Sequence, residues 1–203
     1  MKLYIDFDGT LYDTDRLFKD FIKVCNSYGV TDDMFCEAQE YFFSKNKLFN
    51  IEPVIKYLVE EYNIIDSIYD DIDNLFNSSY LFEDVLDGLK ELIDQGHELY
   101  VLTYGNFEFQ KRKIEGSKIK DYFKDIIITE FDKTKLVLDK TNSIFVDNNP
   151  KEICQLYNSG YNVIRIRRDT DKYSSLNTNI SEVTECTDFK QVVDLMKGNV
   201  NNG

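Results

Sequence analysis

Asp6 and Asp8 stand one residue apart where the apolar run Leu3-Tyr4-Ile5 ends, and Gly9-Thr10 follows at once. If residues 2–6 form a strand, alternation sends both carboxylates to the same side as the strand unwinds. Two acids converging at the end of a buried strand repel each other and lose hydration. Such an arrangement persists where a cation or a reaction needs it. Oxygen ligands alone favour a hard ion, most simply Mg2+. The second acid can then serve as the proton-transfer partner of a nucleophile, and Gly9 lets the backbone turn sharply around a small anion. The same short pattern also occurs as an ordinary strand end with an Asp-Gly turn, so its meaning rests on what the rest of the chain brings to it.

Further polar groups end apolar runs in the same way. Glu98-Leu99-Tyr100-Val101-Leu102 runs into Thr103, followed by Tyr104-Gly105-Asn106. Asp125-Ile126-Ile127-Ile128-Thr129 precedes Lys133 and Lys135, with a helix expected from about Leu136. Ser143-Ile144-Phe145-Val146 runs into Asp147, followed by Asn148-Asn149-Pro150, and Val163-Ile164-Arg165-Ile166 reads as a fifth strand. Short, nearly continuous apolar runs are what strands buried on both faces look like. Amphipathic stretches of helical length separate them, so the pattern is repeated βαβ. The fold class is α/β, a Rossmann-like parallel sheet with helices on both faces. Ligands of open parallel sheets gather beyond the carboxyl ends of the strands, which is where these polar groups fall.

With Asp6-Phe7-Asp8-Gly9-Thr10, Thr103, Lys133 and Asp147 in that order, each behind a strand, the chain resembles the haloacid dehalogenase-like (HAD) superfamily. The resemblance runs from Met1 to about Met196. It is specifically to aspartate-nucleophile phosphatases with a helical C1-type cap. It implies that Asp6 attacks phosphorus to give an aspartyl-phosphate, and that Asp8 protonates the leaving alkoxide and then deprotonates the hydrolytic water. It implies phosphate contacts from Thr103 and Lys133, with Lys135, farther from the strand, the less favoured lysine. Mg2+ would be bound by the Asp6 carboxylate, the Asp8 backbone carbonyl and Asp147. Backbone groups at Tyr104, Gly105 and Asn106 are placed to help bind phosphate at a helix start. Asp8 also favours phosphate chemistry over dehalogenation, because expelling an alkoxide needs a general acid and displacing a halide does not.

The chain departs from many relatives after Asp147, where Asn148 and Asn149 stand in place of a second acid. Asn148 can orient a metal-bound water or accept through its oxygen without adding charge, and Glu152, one helical turn onward, offers a carboxylate. The activity implied is Mg2+-dependent hydrolysis of a small-molecule phosphate monoester. A phosphomutase of the same superfamily and a catalytically weak binding or regulatory member are the alternatives.

From about Asp15 to Tyr80 the texture is helical only. Leu17, Phe18, Phe21, Ile22 and Cys25 make one stripe; Ile51, Val54, Ile55, Leu58, Val59 and Tyr62 make the clearest, with Pro53 suited to its first turn. In the resembled superfamily such an insert is a mobile cap, and helical caps accompany small phosphorylated metabolites. The expected organisation is a core of residues 1–14 and 81–198, a helical cap of 15–80, and a flexible tail of 199–203.

The 203 residues carry a formal net charge of −13, which argues against a nucleic-acid surface. No apolar run approaches the length of a bilayer span, so no membrane partner is expected. Met1 leads directly into the first strand, leaving no room for a signal peptide. Cys25, Cys36, Cys154 and Cys186 are scattered without metal-type spacing and read as reduced thiols of a cytoplasmic protein. The partner expected is a phosphorylated small molecule. His97, the only histidine, is expected as a solvated turn residue at the sheet end opposite the site. Arg165, Arg167 and Arg168 are expected as solvated charges on a peripheral strand.

Overall fold

The computed structural model describes residues 1–45, 48–136 and 138–200, the last three without their side chains. Six strands form one parallel sheet: β1 (Lys2–Ile5), β2 (Glu98–Tyr104), β3 (Asp125–Thr129), β4 (Ser143–Asp147), β5 (Asn162–Ile166) and β6 (Thr184–Cys186). Their order is β3-β2-β1-β4-β5-β6, so the chain starts in the middle and winds outward in both directions. Eight α-helices accompany them among the described residues: α1 (Thr14–Ser27), α2 (Asp32–Lys45), α3 (Ile51–Tyr62), α4 (Ser67–Leu75), α5 (Val85–Asp94), α6 (Phe107–Ser117), α7 (Pro150–Asn158) and α8 (Phe189–Val200).

The two-residue period of the strands divides the core. Leu3, Ile5, Leu99, Val101, Ile144, Val146, Ile164 and Ile166 point to one face, where Val85 and Leu89 of α5 and Phe189 and Val192 of α8 cover them. Tyr4, Leu102 and Phe145 point to the other and meet Leu156 of α7. Each buried Leu, Ile, Val or Phe contributes roughly 1.5–3 kcal/mol by leaving water, which is why both faces of these strands are apolar and the runs nearly continuous.

Helices α1 to α4 follow the first strand without an intervening strand. They meet the sheet domain at α6 among other places. Phe109 meets Phe49 and Phe76 with ring centroids 5.4 and 6.0 Å apart, and Arg112 reaches Glu52 and Asp73. Gly116 is obligatory there, since a Cβ on it would stand 1.9 Å from the carbonyl oxygen of Phe76.

Three expectations need correction. No α-helix follows Lys135 among the described residues before β4; a single 3-10 turn, Lys133–Lys135, does the work, and Leu136 and Leu138 pack under the sheet instead. α8 runs on to Val200, so residues 199–200 of the expected tail are helical, while 201–203 lie outside the described residues. His97 lies at the amino end of β2 as expected, but it is only 8% exposed, and burial together with the N-terminal ammonium lowers its pKa. All four cysteines are free thiols, and no helix among the described residues is long and apolar enough to cross a membrane.

Candidate active site

The carboxyl ends of β1, β2 and β4 define the site. Register pairs Ile5 with Val146, and the Asp6 N–H donates to the Val146 carbonyl at 2.8 Å, so Asp6 and Asp147 emerge side by side from neighbouring strands. Lys133 arrives from the turn after β3. Asp132 caps that turn by accepting from the Thr134 N–H at 2.8 Å, which fixes where Lys133 leaves the backbone. Its Nζ donates to Asp6 Oδ1 at 2.8 Å and to Asp147 Oδ2 at 2.6 Å. Asp147 also accepts from the Asn149 N–H at 2.8 Å, and Asn149 in turn caps α7. Lys135 is exposed and does not line the cavity, so the lysine nearer the strand is the one delivered.

One ammonium shared by two buried carboxylates leaves a negative charge over only when both are ionised. Burial pushes the Asp6 carboxyl up to about 8, against the attraction of Lys133 and with repulsion from Asp147 and Asp8. Burial alone would strip Lys133 of its proton, but Asp147 and Asp6 outweigh it and hold its pKa above the ordinary value.

Asp8 is anchored quite differently. Lys113 of α6 pairs with it, Thr14 at the start of α1 donates its hydroxyl to it, and Gln110 Nε2 donates to Asp8 Oδ2 at 2.7 Å. Burial works against charge on Asp8, yet Lys113, Thr14 and Gln110 together lower its pKa, so it stands as a carboxylate. The same Gln110 nitrogen donates to Thr103 Oγ1 at 2.7 Å, which ties the ends of β1 and β2 together. Lys113 is 2% exposed, and its ammonium lies 4.7 Å from the Phe109 ring centroid and 5.8 Å from those of Phe7 and Tyr12.

The acids open on a cavity of about 300 Å³, and Gln110 and Lys113 lie behind its wall. Asp6, Asp8, Thr103, Tyr104, Lys133, Asp147 and Asn148 all border it. Gly105 does not, and its N–H is engaged by the Thr129 carbonyl at 3.0 Å, so that amide is not offered to a ligand. Arg16, which follows the first motif, turns away to the Ser79 carbonyl.

The sequence reading passed over three contributors. Gln110 and Lys113 look like surface polar residues of an amphipathic helix, and only their spacing of three, which puts them on one helix face, hinted at a joint role. Asp171, on the loop after β5, borders the cavity, is 8% exposed and accepts from Asn148 Nδ2 at 2.8 Å; burial raises its pKa. The arginines are the other correction. Arg165 is fully buried and donates to the carbonyls of Asn148, Tyr173 and Leu176 at 3.3, 2.8 and 2.7 Å and to Glu185 at 2.9 Å. Arg168 is 6% exposed, pairing with Asp84 at 2.6 Å and reaching the Thr10 carbonyl at 3.1 Å. Arg167 is half-buried and holds the Ser174 carbonyl. Arg165 and Arg167 thus clamp the loop that carries Asp171, while Arg168 ties the end of β5 to Asp84 and to the first motif at Thr10.

Residues 4–136 match the haloacid dehalogenase-like hydrolase family, and the chain belongs to it. That span contains Asp6, Asp8, Thr103 and Lys133, and Asp147 lies beyond it. No curated protein matches the chain by sequence. Among solved structures, the chain is similar to YfnB from Bacillus subtilis, a protein assigned as a HAD-hydrolase and bound to magnesium, at 16% identity and a TM-score of 0.63, covering 96% of this chain and 97% of that one. It is similar to L-2-haloacid dehalogenase from Xanthobacter autotrophicus with chloropropionic acid covalently bound, at 14% identity and a TM-score of 0.63, covering 97% and 98%. It is also similar to a protein from Thermotoga maritima assigned as a β-phosphoglucomutase, at 14% identity and a TM-score of 0.64, with the same coverage. At these identities the likeness is one of fold.

Proposed function

We propose that this hydrolase is a Mg2+-dependent phosphatase acting on a small-molecule phosphate monoester through an aspartyl-phosphate. The observation that supports this most is the pairing of two acids with different supports. Asp6 meets Lys133 and Asp147, while Asp8 is held by Lys113 and linked through Gln110 to Thr103.

The donor set suits a hard divalent ion. Once both are ionised, Asp6 and Asp147 exceed the charge of Lys133 by one, and Glu152 Oε2, on the cavity wall, is buried without a partner. Among the described residues no three His, Cys, Asp or Glu side chains form a metal cage. The fit is of the Mg2+ kind, in which one or two carboxylates leave much of the coordination to water and phosphate. Asp6, the Asp8 carbonyl, Asp147 and Asn148 would hold the ion. When bound, it neutralises charge on the phosphoryl oxygens and on the attacking carboxylate.

In this reading an oxygen of Asp6 forms a bond to phosphorus as the phosphorus–ester oxygen bond breaks. Lys133 and Thr103 bind the non-bridging oxygens. Asp8, an ionised group in the resting site, takes a proton as the anionic ester raises its pKa, and gives it to the departing alkoxide. It then removes a proton from the water that attacks phosphorus, which releases inorganic phosphate and restores Asp6. Helices α1 to α4 are proposed as the cap over this site, with residues 1–14 and 81–198 as the core; a closing lid favours small soluble metabolites over macromolecules and membranes. The free thiols fit a cytoplasmic setting.

The test is phosphate release from a panel of small esters with Mg2+, with chelator, and with D6N. Release that needs Mg2+ and is lost in D6N supports the reading. An isomerised sugar phosphate without net release would replace it with a mutase, and cleavage of 2-haloacids in place of esters would overturn it.

A further inference from the structure

The loop after β5 bears on the departure from the family pattern at Asn148. Asn148 is 4% exposed and Asp171 8%, and their side chains meet at 2.8 Å. A carboxylate can only accept, so Asp171 decides which end of the Asn148 amide faces it. The nitrogen turns to Asp171, and the oxygen Oδ1 is left on the other branch of the planar group. The pair lies against the first motif. A Cβ on Gly9, whose φ is +71°, would stand 2.0 Å from Asn148 Nδ2 and 3.2 Å from Asp171 Oδ1. Amide and acid thus press directly against the residue after the Asp8 carbonyl. A second, independent device fixes their relation. The buried guanidinium of Arg165 holds the Asn148 carbonyl at 3.3 Å and, on the same group, the Tyr173 and Leu176 carbonyls of the loop.

We infer that Asp171 is a positioning residue of the cation site: it orients Asn148 to present Oδ1 as a metal-ligand oxygen and supplies, one bond further out, the negative charge that a second acid after Asp147 would have carried. This rests on the reading that the site binds a divalent cation. Partners one bond behind a metal ligand typically govern affinity by about 10–100-fold, and a hydrogen-bonded carboxylate strengthens the oxygen it polarises.

The experiment is calorimetric titration of the full chain with Mn2+ alone, which needs no substrate or turnover. Wild type, D147N, D171N and the exchange N148D/D171N are compared, with thermal unfolding as a check of folding; D171S takes the place of D171N should the latter not fold. The expected result is a loss of roughly tenfold or more in affinity for D171N, and recovery to near wild type in N148D/D171N, where the hydrogen bond and the charge are both kept but exchanged. A merely structural role for Asp171 would not be rescued in this way. D171N binding like wild type while D147N has lost binding would overturn the inference and leave the cation reading standing, as would failure of the exchange to recover affinity. Wild type that binds no Mn2+ would overturn both.

Discussion

Lys113 and Asp8, 105 residues apart in sequence, form an ion pair beneath Phe109, while Asp6, two residues from Asp8, must share the ammonium of Lys133 with Asp147. Asp8 has an ammonium to itself together with two neutral donors, Thr14 and Gln110, whereas Asp6 has half a share of one ammonium. Their unequal treatment separates two chemically identical side chains into an anion and a group that holds a proton well above the usual carboxylate range.

Removing Lys113 leaves Asp8 without its counter-charge. K113M is expected to destabilise the fold by roughly 2–3 kcal/mol, below the full cost for a wholly buried pair because Asp8 keeps some contact with water. D8N should relieve much of this, so the double variant will be more stable than the sum of the single changes. Urea unfolding of the four proteins checks it. Additive losses would show that the pair contributes nothing.

Asp6 gives a pH signature in the presence of chelator. Its folded pKa of about 8 lies above that of an unfolded aspartate, so the native state retains a proton that the unfolded state has released. Stability from this group is therefore present at low pH, is lost progressively from about pH 4 to pH 8, and is level above. D6N removes the slope. Its advantage over wild type should widen across that window, as read from unfolding midpoints in EDTA, and Mg2+ should narrow it.

G9A meets two obstacles at once, a left-handed backbone and the Asn148 amide. The backbone alone costs about 1–2 kcal/mol, and the displaced amide should reduce divalent-ion affinity as well. Thermal melting and calorimetric titration of the same preparation measure both. A variant with a normal melt and normal affinity would contradict the contact between Gly9 and Asn148.

R165K keeps the charge but not the fork. A single ammonium cannot serve three carbonyls and Glu185, so a loss of about 3 kcal/mol is expected, from buried acceptors left unpaired. Hydrogen exchange should show the loop at residues 170–176 opening first, before the sheet.

The sheet and four of the site residues were legible because they obey a local rule. Asp6, Thr103, Lys133 and Asp147 each follow an apolar run, and in a parallel sheet the ends of such runs share an edge. What was not legible depends on pairings made in space. Lys113 and Arg165 look like ordinary exposed charges until Asp8 and the loop carbonyls are brought to them. Asp171 lies in a polar stretch with no periodicity to mark it. β6 is three residues long with only Cys186 buried, too short for alternation to register. The expected helix after Lys135 failed for a related reason: Asp132 and Asp139 spend their side chains on turns, and Leu136 and Leu138 pack with a strand-like spacing of two.

Helix α6 is gripped on two sides. Phe49, Phe76, Glu52 and Asp73 hold it through Phe109 and Arg112, and through Gln110 and Lys113 it holds Asp8. Asp6 belongs to another frame, pinned by its own N–H to the strand ladder. Neighbours in sequence are thus moored to different elements of the sheet domain, one to the strand ladder and one to a helix. The spacing of the two acids is therefore set by how α6 sits against the sheet, and α6 is also the helix on which the insert rests through Phe109 and Arg112.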